Sequence, residues 1–174
     1  MEPSVESLKN LDLSLLAQRL GKLCRQHGVE VTTAESCTGG GIAEAITSVA
    51  GSSAYFSSGY VTYSNAAKSR MLGVEEGALE MHGAVSEAVV KAMVAGACRE
   101  SGADIGVAVS GVAGPDGGSD EKPVGTVWLA WGSASAPRAE CLHFPGDRHA
   151  VREQAVRQAV ARLVADLDGH GETA

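Results

Sequence analysis

The amino-acid sequence predicts an α/β fold, a single-domain three-layer α/β/α sandwich with a mainly parallel (mixed) sheet of about five strands. A chain of 174 residues is long enough for one domain with one hydrophobic core. Short β-branched or apolar runs alternate with amphipathic patterns, as in proteins whose helices cover both faces of a sheet. The 22 glycines, against 4% aromatic residues, indicate many tight turns between these segments.

The first half of the chain contains two predicted strands. Asp12 is a candidate N-cap for a helix that Gly28 ends. The β-branched run at residues 29–33 predicts a strand, and apolar residues recur at helical spacing after it. A second strand is predicted over residues 59–64, and Gly73 can end the short helix that follows.

The second half contains three predicted strands. Ser86 is a candidate N-cap for a long helix, and the apolar run at residues 104–110 predicts a central strand covered on both faces. The runs at residues 126–131 and 138–144 predict an antiparallel pair. An amphipathic helix closes the chain, and its aligned apolar residues are Val151, Ala155, Ala159, Leu163 and Leu167.

The ends of the chain differ in pattern from the rest. Residues 1–10 are polar and show no periodicity, so we expect a loose N-terminal arm. The folded domain is predicted to span residues 11–168, with a flexible tail over residues 169–174. The Gly- and Ala-rich helices are compatible with packing between copies of the chain, so a homo-oligomer stays an open expectation.

Composition and charge exclude several classes of partner. A net charge of -7 provides no clustered basic face for nucleic acid. No run approaches the ~18 consecutive apolar residues that a membrane span needs, so we expect a cytoplasmic protein without a membrane partner. The cysteines lack zinc-ligand spacing, and we expect reduced thiols, no metal and no cofactor. They are Cys24, Cys37, Cys98 and Cys141.

Two glycine-rich segments each follow a predicted strand. They cover residues 35–41 and residues 110–118, and the second begins a long loop that is typical of functional segments. Ligands of α/β proteins bind beyond the carboxyl ends of the strands. Glycines let the backbone approach a ligand, and free N–H groups hold a phosphate or a developing oxyanion. The sequence therefore predicts a ligand site between these segments.

Ser36 in the first segment has two interpretations. The segment lacks the Walker A and GxSxG patterns, and by pattern alone Ser36 is best read as the cap of the next helix. Alternatively, Ser36 is a nucleophile activated by a base. Lys68, with Tyr63 five residues before it, is the candidate base, although an exposed helix lysine is the commoner case. Cys37 is a rival nucleophile, because the pKa of a thiol falls at a helix N-terminus, although a buried, inert cysteine is the commoner case.

Two further residues also have two interpretations each. Ser53, in "AGSSAYF", either belongs to a turn or lines the ligand pocket. Arg148, in "FPGDR", is either a phosphate anchor or a surface charge.

Five motifs occur in order along the chain: "TTAESCTGG", "AGSSAYFSSGYVTYSNAAKSRMLGV", "HGAVSEAVV", "SGVAGPDGGSDEKPVGTVWLAW" and "FPGDR". Together they closely resemble the CinA C-terminal domain family, from about residue 13 to residue 167. The resemblance implies an α/β/α fold. It also implies hydrolysis of the carboxamide of nicotinamide mononucleotide to nicotinate mononucleotide and ammonia, a step of pyridine nucleotide salvage, without a metal or redox cofactor.

The resemblance also implies roles for individual residues. It places Ser36 as nucleophile with Tyr63 and Lys68 as its assistants, and it leaves open which of the two is the general base. It implies a nucleotide pocket lined by Cys37, Thr38, Gly39, Gly40, Ser53, Ser110, Gly111, Gly114 and Arg148. A non-catalytic nucleotide-binding or regulatory module with the same fold is the alternative.

Two positions depart from the family pattern. Many members have a bulky residue where this chain has Gly41, and we expect the glycine to widen the pocket mouth. Some members have threonine in place of Ser110, which keeps the hydroxyl. Neither departure removes a proposed catalytic group.

Overall fold

A computed structural model describes residues 4–169, which form helices on both sides of one sheet. The helices are α1 Val5–Leu8, α2 Leu13–His27, α3 Gly41–Thr47, α4 Asn65–Leu72, α5 Glu76–His82, α6 Glu87–Ser101 and α7 Arg148–Gly169. The strands are β1 Val31–Glu35, β2 Phe56–Val61, β3 Ile105–Gly111, β4 Thr126–Gly132 and β5 Arg138–His143. A short 3-10 turn over Ser52–Ala54 leads into β2.

The sheet of the described residues has the strand order β2-β1-β3-β4-β5. Strand β1 pairs in parallel with β2 and with β3, whereas β4 is antiparallel to both of its neighbours. Strand β4 alone therefore runs against the other strands, and the predicted antiparallel pair is β4 with β5. The predicted fold class, a mixed sheet in an α/β/α sandwich, is confirmed.

Two hydrophobic cores hold the three layers together. Helices α1, α2, α3 and α7 cover one face of the sheet, and α4, α5 and α6 cover the other. The apolar residues predicted to align on α7 are all buried. Gly96 of α6 packs directly against the backbone of Leu72, so a side chain here would force α4 and α6 apart. This close packing fixes α4, the helix that carries Lys68.

Local sequence signals set the ends of several helices as predicted. The Asp12 carboxylate accepts a hydrogen bond from the N–H of Ser14 (2.9 Å), and the hydroxyl of Ser86 accepts one from Val89 (3.4 Å). Gly28 and Gly73 end α2 and α4 in the left-handed conformation, with φ of 65° and 68°.

The first two strands are displaced from their predicted positions. Strand β1 ends at Glu35 and not at residue 33, and β2 ends at Val61 and not at residue 64. The N–H of Thr62 still donates to the Glu35 carbonyl (2.9 Å), after which the chain turns away from the sheet. The hydroxyl of Ser64 then accepts a hydrogen bond from Ala67 (3.1 Å) and starts α4. Because Ser64 already caps α4, strand β2 ends before the predicted strand does.

The predicted N-terminal arm is not loose over residues 5–8. They form α1, whose side chain Leu8 is 1% exposed in the core against α7. Burial of this leucine contributes roughly 2 kcal/mol to the docking of α1. Residues 1–3 and 170–174 lie outside the described residues, and Gly169 belongs to α7. Within residues 4–169, no helix is long and apolar enough to cross a membrane.

Candidate active site

The two glycine-rich segments meet at the carboxyl edge of the sheet, as predicted. They follow the parallel neighbours β1 and β3, and the N–H of Ser36 donates to the Val109 carbonyl (3.0 Å). A cavity of about 310 Å³ lies between them. Its lining residues are Ser36, Cys37, Tyr63, Asn65, Lys68, Ala84, Val85, Ser110, Gly111, Val112, Ala113, Gly114, Asp116, Gly117, Gly118 and Arg148.

Glu35, rather than Ser36, caps the helix that follows the first segment. Its fully buried carboxylate accepts hydrogen bonds from the backbone N–H groups of Ile42 (2.8 Å) and Ala43 (3.1 Å) and from the Thr38 hydroxyl (2.7 Å). The N-cap position of α3 is a glycine and has no side-chain bond. The interpretation of Ser36 as a helix cap is therefore wrong, and its hydroxyl is available for chemistry.

The base predicted for Ser36 lies next to it. The Nζ of Lys68 donates to Ser36 Oγ (3.0 Å) and to the backbone carbonyls of Thr62 (2.8 Å) and Tyr63 (3.3 Å). Lys68 is 1% exposed, so it is not the exposed helix lysine of the alternative interpretation. None of the ion pairs within residues 4–169 involves it. Burial lowers the pKa of Lys68, which favours the neutral amine.

The surroundings of Lys68 also orient its nitrogen. The carbonyls of Thr62 and Tyr63 can only accept hydrogen bonds, so they fix two of the amine's N–H groups. In the neutral amine, the nitrogen lone pair is then directed towards Ser36. A lone pair in this direction can accept the proton of the hydroxyl when Ser36 attacks a substrate.

Cys37 is a poor nucleophile in this environment. Burial raises the pKa of its thiol to about 11, although the positive charge of Arg152 acts in the opposite direction. The thiol is therefore protonated near neutral pH. The expected activation by the helix N-terminus is absent, since the first N–H groups of α3 are already bonded to Glu35.

Arg148 connects the second glycine-rich segment to Tyr63, and all three line the cavity. It is the first residue of α7, and Asp147 caps this helix by accepting from the Ala150 N–H (2.9 Å). The guanidinium donates to the Gly114 carbonyl (2.9 Å) and to the hydroxyl of Tyr63 (3.1 Å). Tyr63 thus meets Lys68 through its backbone carbonyl, while its hydroxyl faces Arg148.

Both segments offer free backbone donors. In the first, the N–H groups of Cys37 and Thr38 have no acceptor within residues 4–169. In the second, the unbonded N–H groups within the same part of the chain belong to Ala113, Gly114, Asp116, Gly117 and Gly118. Three of these are glycines with φ between 81° and 86°, a conformation that side chains avoid. Successive free N–H groups in such a loop form a concave site for an anion.

The structure does not bring every predicted residue to the cavity. The side chain of Thr38 is turned away from the cavity, since its hydroxyl donates to Glu35, while Gly39 and Gly40 face Arg152 and Val61.

Ser53 is exposed in the turn that precedes β2, at the amino end of a strand whose carboxyl end adjoins the site. The structure therefore does not support a pocket role for Ser53. Gly41 packs against Val156 of α7, so it makes room for a helix contact and does not widen the pocket mouth.

The chain also matches a known protein family over most of its length. The model of the CinA C-terminal domain matches residues 13–167. The chain belongs to the CinA C-terminal domain family. In this CinA-family chain, no group of three or more His, Cys, Asp or Glu residues within residues 4–169 could hold a metal ion.

Several relatives cover nearly the whole chain. A nicotinamide-nucleotide amidohydrolase PncC from Pseudomonas putida is 61% identical over 157 residues, covering 90% of this chain and 94% of the relative. The protein of the same name from Escherichia coli K12 is 54% identical over 155 residues, covering 87% and 93%. A crystal structure of a CinA superfamily protein from Klebsiella pneumoniae superimposes with a TM-score of 0.88 at 42% identity, covering 91% and 99%.

Proposed function

We propose that this CinA-family chain is an amidohydrolase that converts nicotinamide mononucleotide to nicotinate mononucleotide and ammonia without a metal. The observation that carries the proposal is the buried contact between Lys68 Nζ and Ser36 Oγ at the cavity (3.0 Å). Two relatives that share more than half of their aligned residues with this chain are named for this reaction. A nucleophile with its own base supplies what hydrolysis of an amide requires.

The first half of the reaction forms an acyl-enzyme. Ser36 Oγ attacks the carboxamide carbon while its proton passes to the neutral Lys68, and a tetrahedral oxyanion forms. The C–N bond then breaks, and the Lys68 ammonium returns the proton to the leaving nitrogen, which departs as ammonia. The nicotinoyl group remains bound to Ser36 as an ester.

The second half repeats this proton transfer with water. Water attacks the ester carbon, Lys68 takes a proton from it, and the Ser36 alkoxide leaves and recovers that proton. Nicotinate mononucleotide is released and the amine is neutral again. The backbone N–H groups of Cys37 and Thr38 are the proposed donors to both oxyanions, where a single donor contributes about 3 to 4 kcal/mol.

The nucleotide phosphate is assigned to the second segment. The N-terminus of α3 cannot hold it, because the Glu35 carboxylate already occupies those N–H groups. The second segment, with free N–H groups over residues 113–118, and Arg148 line the same cavity as Ser36. They offer several hydrogen-bond donors for a phosphate, and the hydroxyl of Tyr63 lies beside the guanidinium.

We also propose that the protein is cytoplasmic and acts in pyridine nucleotide salvage. Its proposed partner is the small nucleotide, with neither nucleic acid nor membrane. The possible homo-oligomer is a separate question, which light scattering of the purified protein answers.

The test is ammonia release from nicotinamide mononucleotide by the purified chain in EDTA. We expect turnover that EDTA does not reduce, with nicotinate mononucleotide formed in equal amount. Turnover that disappears in EDTA would contradict the metal-independent mechanism. Calorimetry that detects nucleotide binding without any ammonia release would instead favour the alternative, a non-catalytic nucleotide-binding module.

A further inference from the structure

We propose that Arg152 is a positioning residue, which holds the backbone of the nucleophile segment so that its free N–H groups face the reacting carbonyl. The inference rests on the proposed function. Arg152 lies one turn after Arg148 on α7, but it is not among the residues that line the cavity. Its hydrogen bonds are made to the segment that carries the nucleophile and not to the cavity.

Arg152 is bonded to this segment at two points. Its Nε donates to the Cys37 carbonyl (3.1 Å), and its Nη2 donates to the Thr38 carbonyl (3.3 Å). No ion pair within the described chain, residues 4–169, engages its charge. The fork of the guanidinium therefore serves two successive peptide groups, a geometry that the single nitrogen of a lysine does not reproduce.

Planar peptides carry this constraint to the free donors. The Cys37 carbonyl and the Thr38 N–H belong to one peptide plane and point in opposite directions, so fixing the carbonyl fixes the N–H. The Thr38 carbonyl likewise fixes the Gly39 N–H, which donates to the Ser36 carbonyl (3.1 Å). The Ser36 carbonyl shares its plane with the Cys37 N–H. Arg152 thus sets the direction of both proposed oxyanion donors.

The segment needs this external support. Gly39 and Gly40 have φ of 60° and 103°, and glycine backbone samples many other conformations. Glu35 holds the following N–H groups from the strand side, and Arg152 holds the preceding carbonyls from α7. Without Arg152, the Cys37 carbonyl loses its hydrogen bond within residues 4–169, so the peptide plane that carries the Thr38 N–H can rotate. The Thr38 carbonyl then keeps only its bond from the Gly41 N–H (3.1 Å).

The experiment compares Arg152→Ala, Arg152→Lys and the control Arg157→Ala. Arg157 also belongs to α7, but it donates to the Leu11 carbonyl (2.8 Å), away from the cavity. For Arg152→Ala we expect kcat to fall about 100-fold with little change in KM, the size of effect that follows loss of one oxyanion donor. Guanidinium ion added to the assay restores part of kcat, and Arg152→Lys recovers only part of it. Arg157→Ala shows neither the loss nor the rescue.

Amide hydrogen exchange provides a readout that does not depend on turnover. We expect the Gly39 N–H to exchange faster in Arg152→Ala, and guanidinium to reverse the change. If both proteins are folded, the inference is overturned by an unchanged exchange rate of the Gly39 N–H, or by a substitution that raises KM and leaves kcat unchanged. Absence of ammonia release by the unaltered chain would sink the proposed function, while the exchange rates would still decide whether Arg152 fixes the segment.

Discussion

The amine of Lys68 and the hydroxyl of Ser36 lie 3.0 Å apart inside the protein, although 32 residues separate them along the chain. Ser36 directly follows strand β1, and Lys68 lies on α4, the helix that follows the edge strand β2. Two backbone carbonyls accept from the same amine, and none of the ion pairs described within residues 4–169 includes it. This pairing of a hydroxyl with a desolvated amine is typical of an activated nucleophile.

Replacing the nucleophile tests this pair directly. In Ser36→Ala, we expect kcat to fall by at least about 1,000-fold, since the remaining groups have nothing to form the acyl-enzyme. The fold should persist, because Lys68 keeps both carbonyl partners. Ammonia release and circular dichroism check the two expectations. Ser57→Ala, at an exposed serine of β2, is the matched control, and near-normal turnover by Ser36→Ala would remove Ser36 from the mechanism.

The pKa of Lys68 predicts how activity depends on pH. Burial lowers this pKa below its ordinary value of 10.5, so the neutral base forms as the pH rises through the lowered pKa. We expect kcat/KM to increase with pH and to reach half of its maximum below 10.5. Activity that is independent of pH across this range would indicate another base.

Substitution of the lysine supplies the control for this pH dependence. Lys68→Arg keeps the positive charge but cannot lose its proton, so we expect it to be inactive at every pH. Lys91→Arg changes a lysine paired with Glu87 on α6 and should behave like the unaltered chain. Turnover by Lys68→Arg would show that the amine does not act as the base.

Thiol catalysis through Cys37 predicts that Cys37→Ser is inactive, whereas catalysis by Ser36 does not. Because burial raises the pKa of Cys37 to about 11, we expect Cys37→Ser to keep turnover within a few-fold of the unaltered chain. Iodoacetamide should modify the exposed Cys141 first and leave turnover intact, which mass spectrometry and the ammonia assay check together. Loss of activity in step with labelling of Cys37 would revive the thiol mechanism.

The sequence predicted those features that depend on neighbouring residues. The caps Asp12 and Ser86 and the left-handed ends Gly28 and Gly73 need only local hydrogen bonds and glycine's conformational freedom. Strand ends were displaced because pairing with another strand, not propensity, determines where a ladder stops. The bonds from Glu35 to the first N–H groups of α3 span seven and eight residues, farther than an N-cap side chain normally reaches, so pattern alone favoured the wrong role for Ser36.

The supporting residues of the site had no sequence signal of their own. Glu35 and Arg152 bond mainly to backbone groups, and these groups take their positions only when β1, α3 and α7 are assembled. For Ser53, by contrast, the sequence did contain a signal that it lies away from the site. It precedes a strand whose carboxyl end leads to the site, which places it at the other end of the sheet.

Glu35 should matter for stability. In Glu35→Gln, the amide oxygen can still accept two hydrogen bonds, but the amide NH₂ then faces an N–H donor of α3. We expect the free energy of unfolding to fall by about 2 kcal/mol, because a buried bond to a charged group is lost. Urea denaturation measures the change. Glu44→Gln, at an exposed position of the same helix, should shift stability by less than about 0.5 kcal/mol.

Arg148 should determine whether the site recognises a phosphate. The proposed enzyme has to prefer nicotinamide mononucleotide over nicotinamide riboside, which carries the same carboxamide without the phosphate. In Arg148→Met, we expect KM for the mononucleotide to rise at least about 10-fold, a loss of about 1.4 kcal/mol, whereas KM for the riboside changes little. Ammonia release measured with both substrates gives the comparison, and Arg157→Met on the same helix is the control.

The contact between Arg148 and Tyr63 allows a second measurement of the same prediction. The Tyr63 hydroxyl accepts from the guanidinium at 3.1 Å and has no other hydrogen bond within residues 4–169. If Tyr63 orients Arg148 towards the phosphate, Tyr63→Phe raises KM for the mononucleotide, and its effect is not additive with Arg148→Met. An additive effect on kcat instead would indicate that the hydroxyl acts on the reacting groups themselves. In that case, only the glycine-rich loop and Arg148 would contact the phosphate.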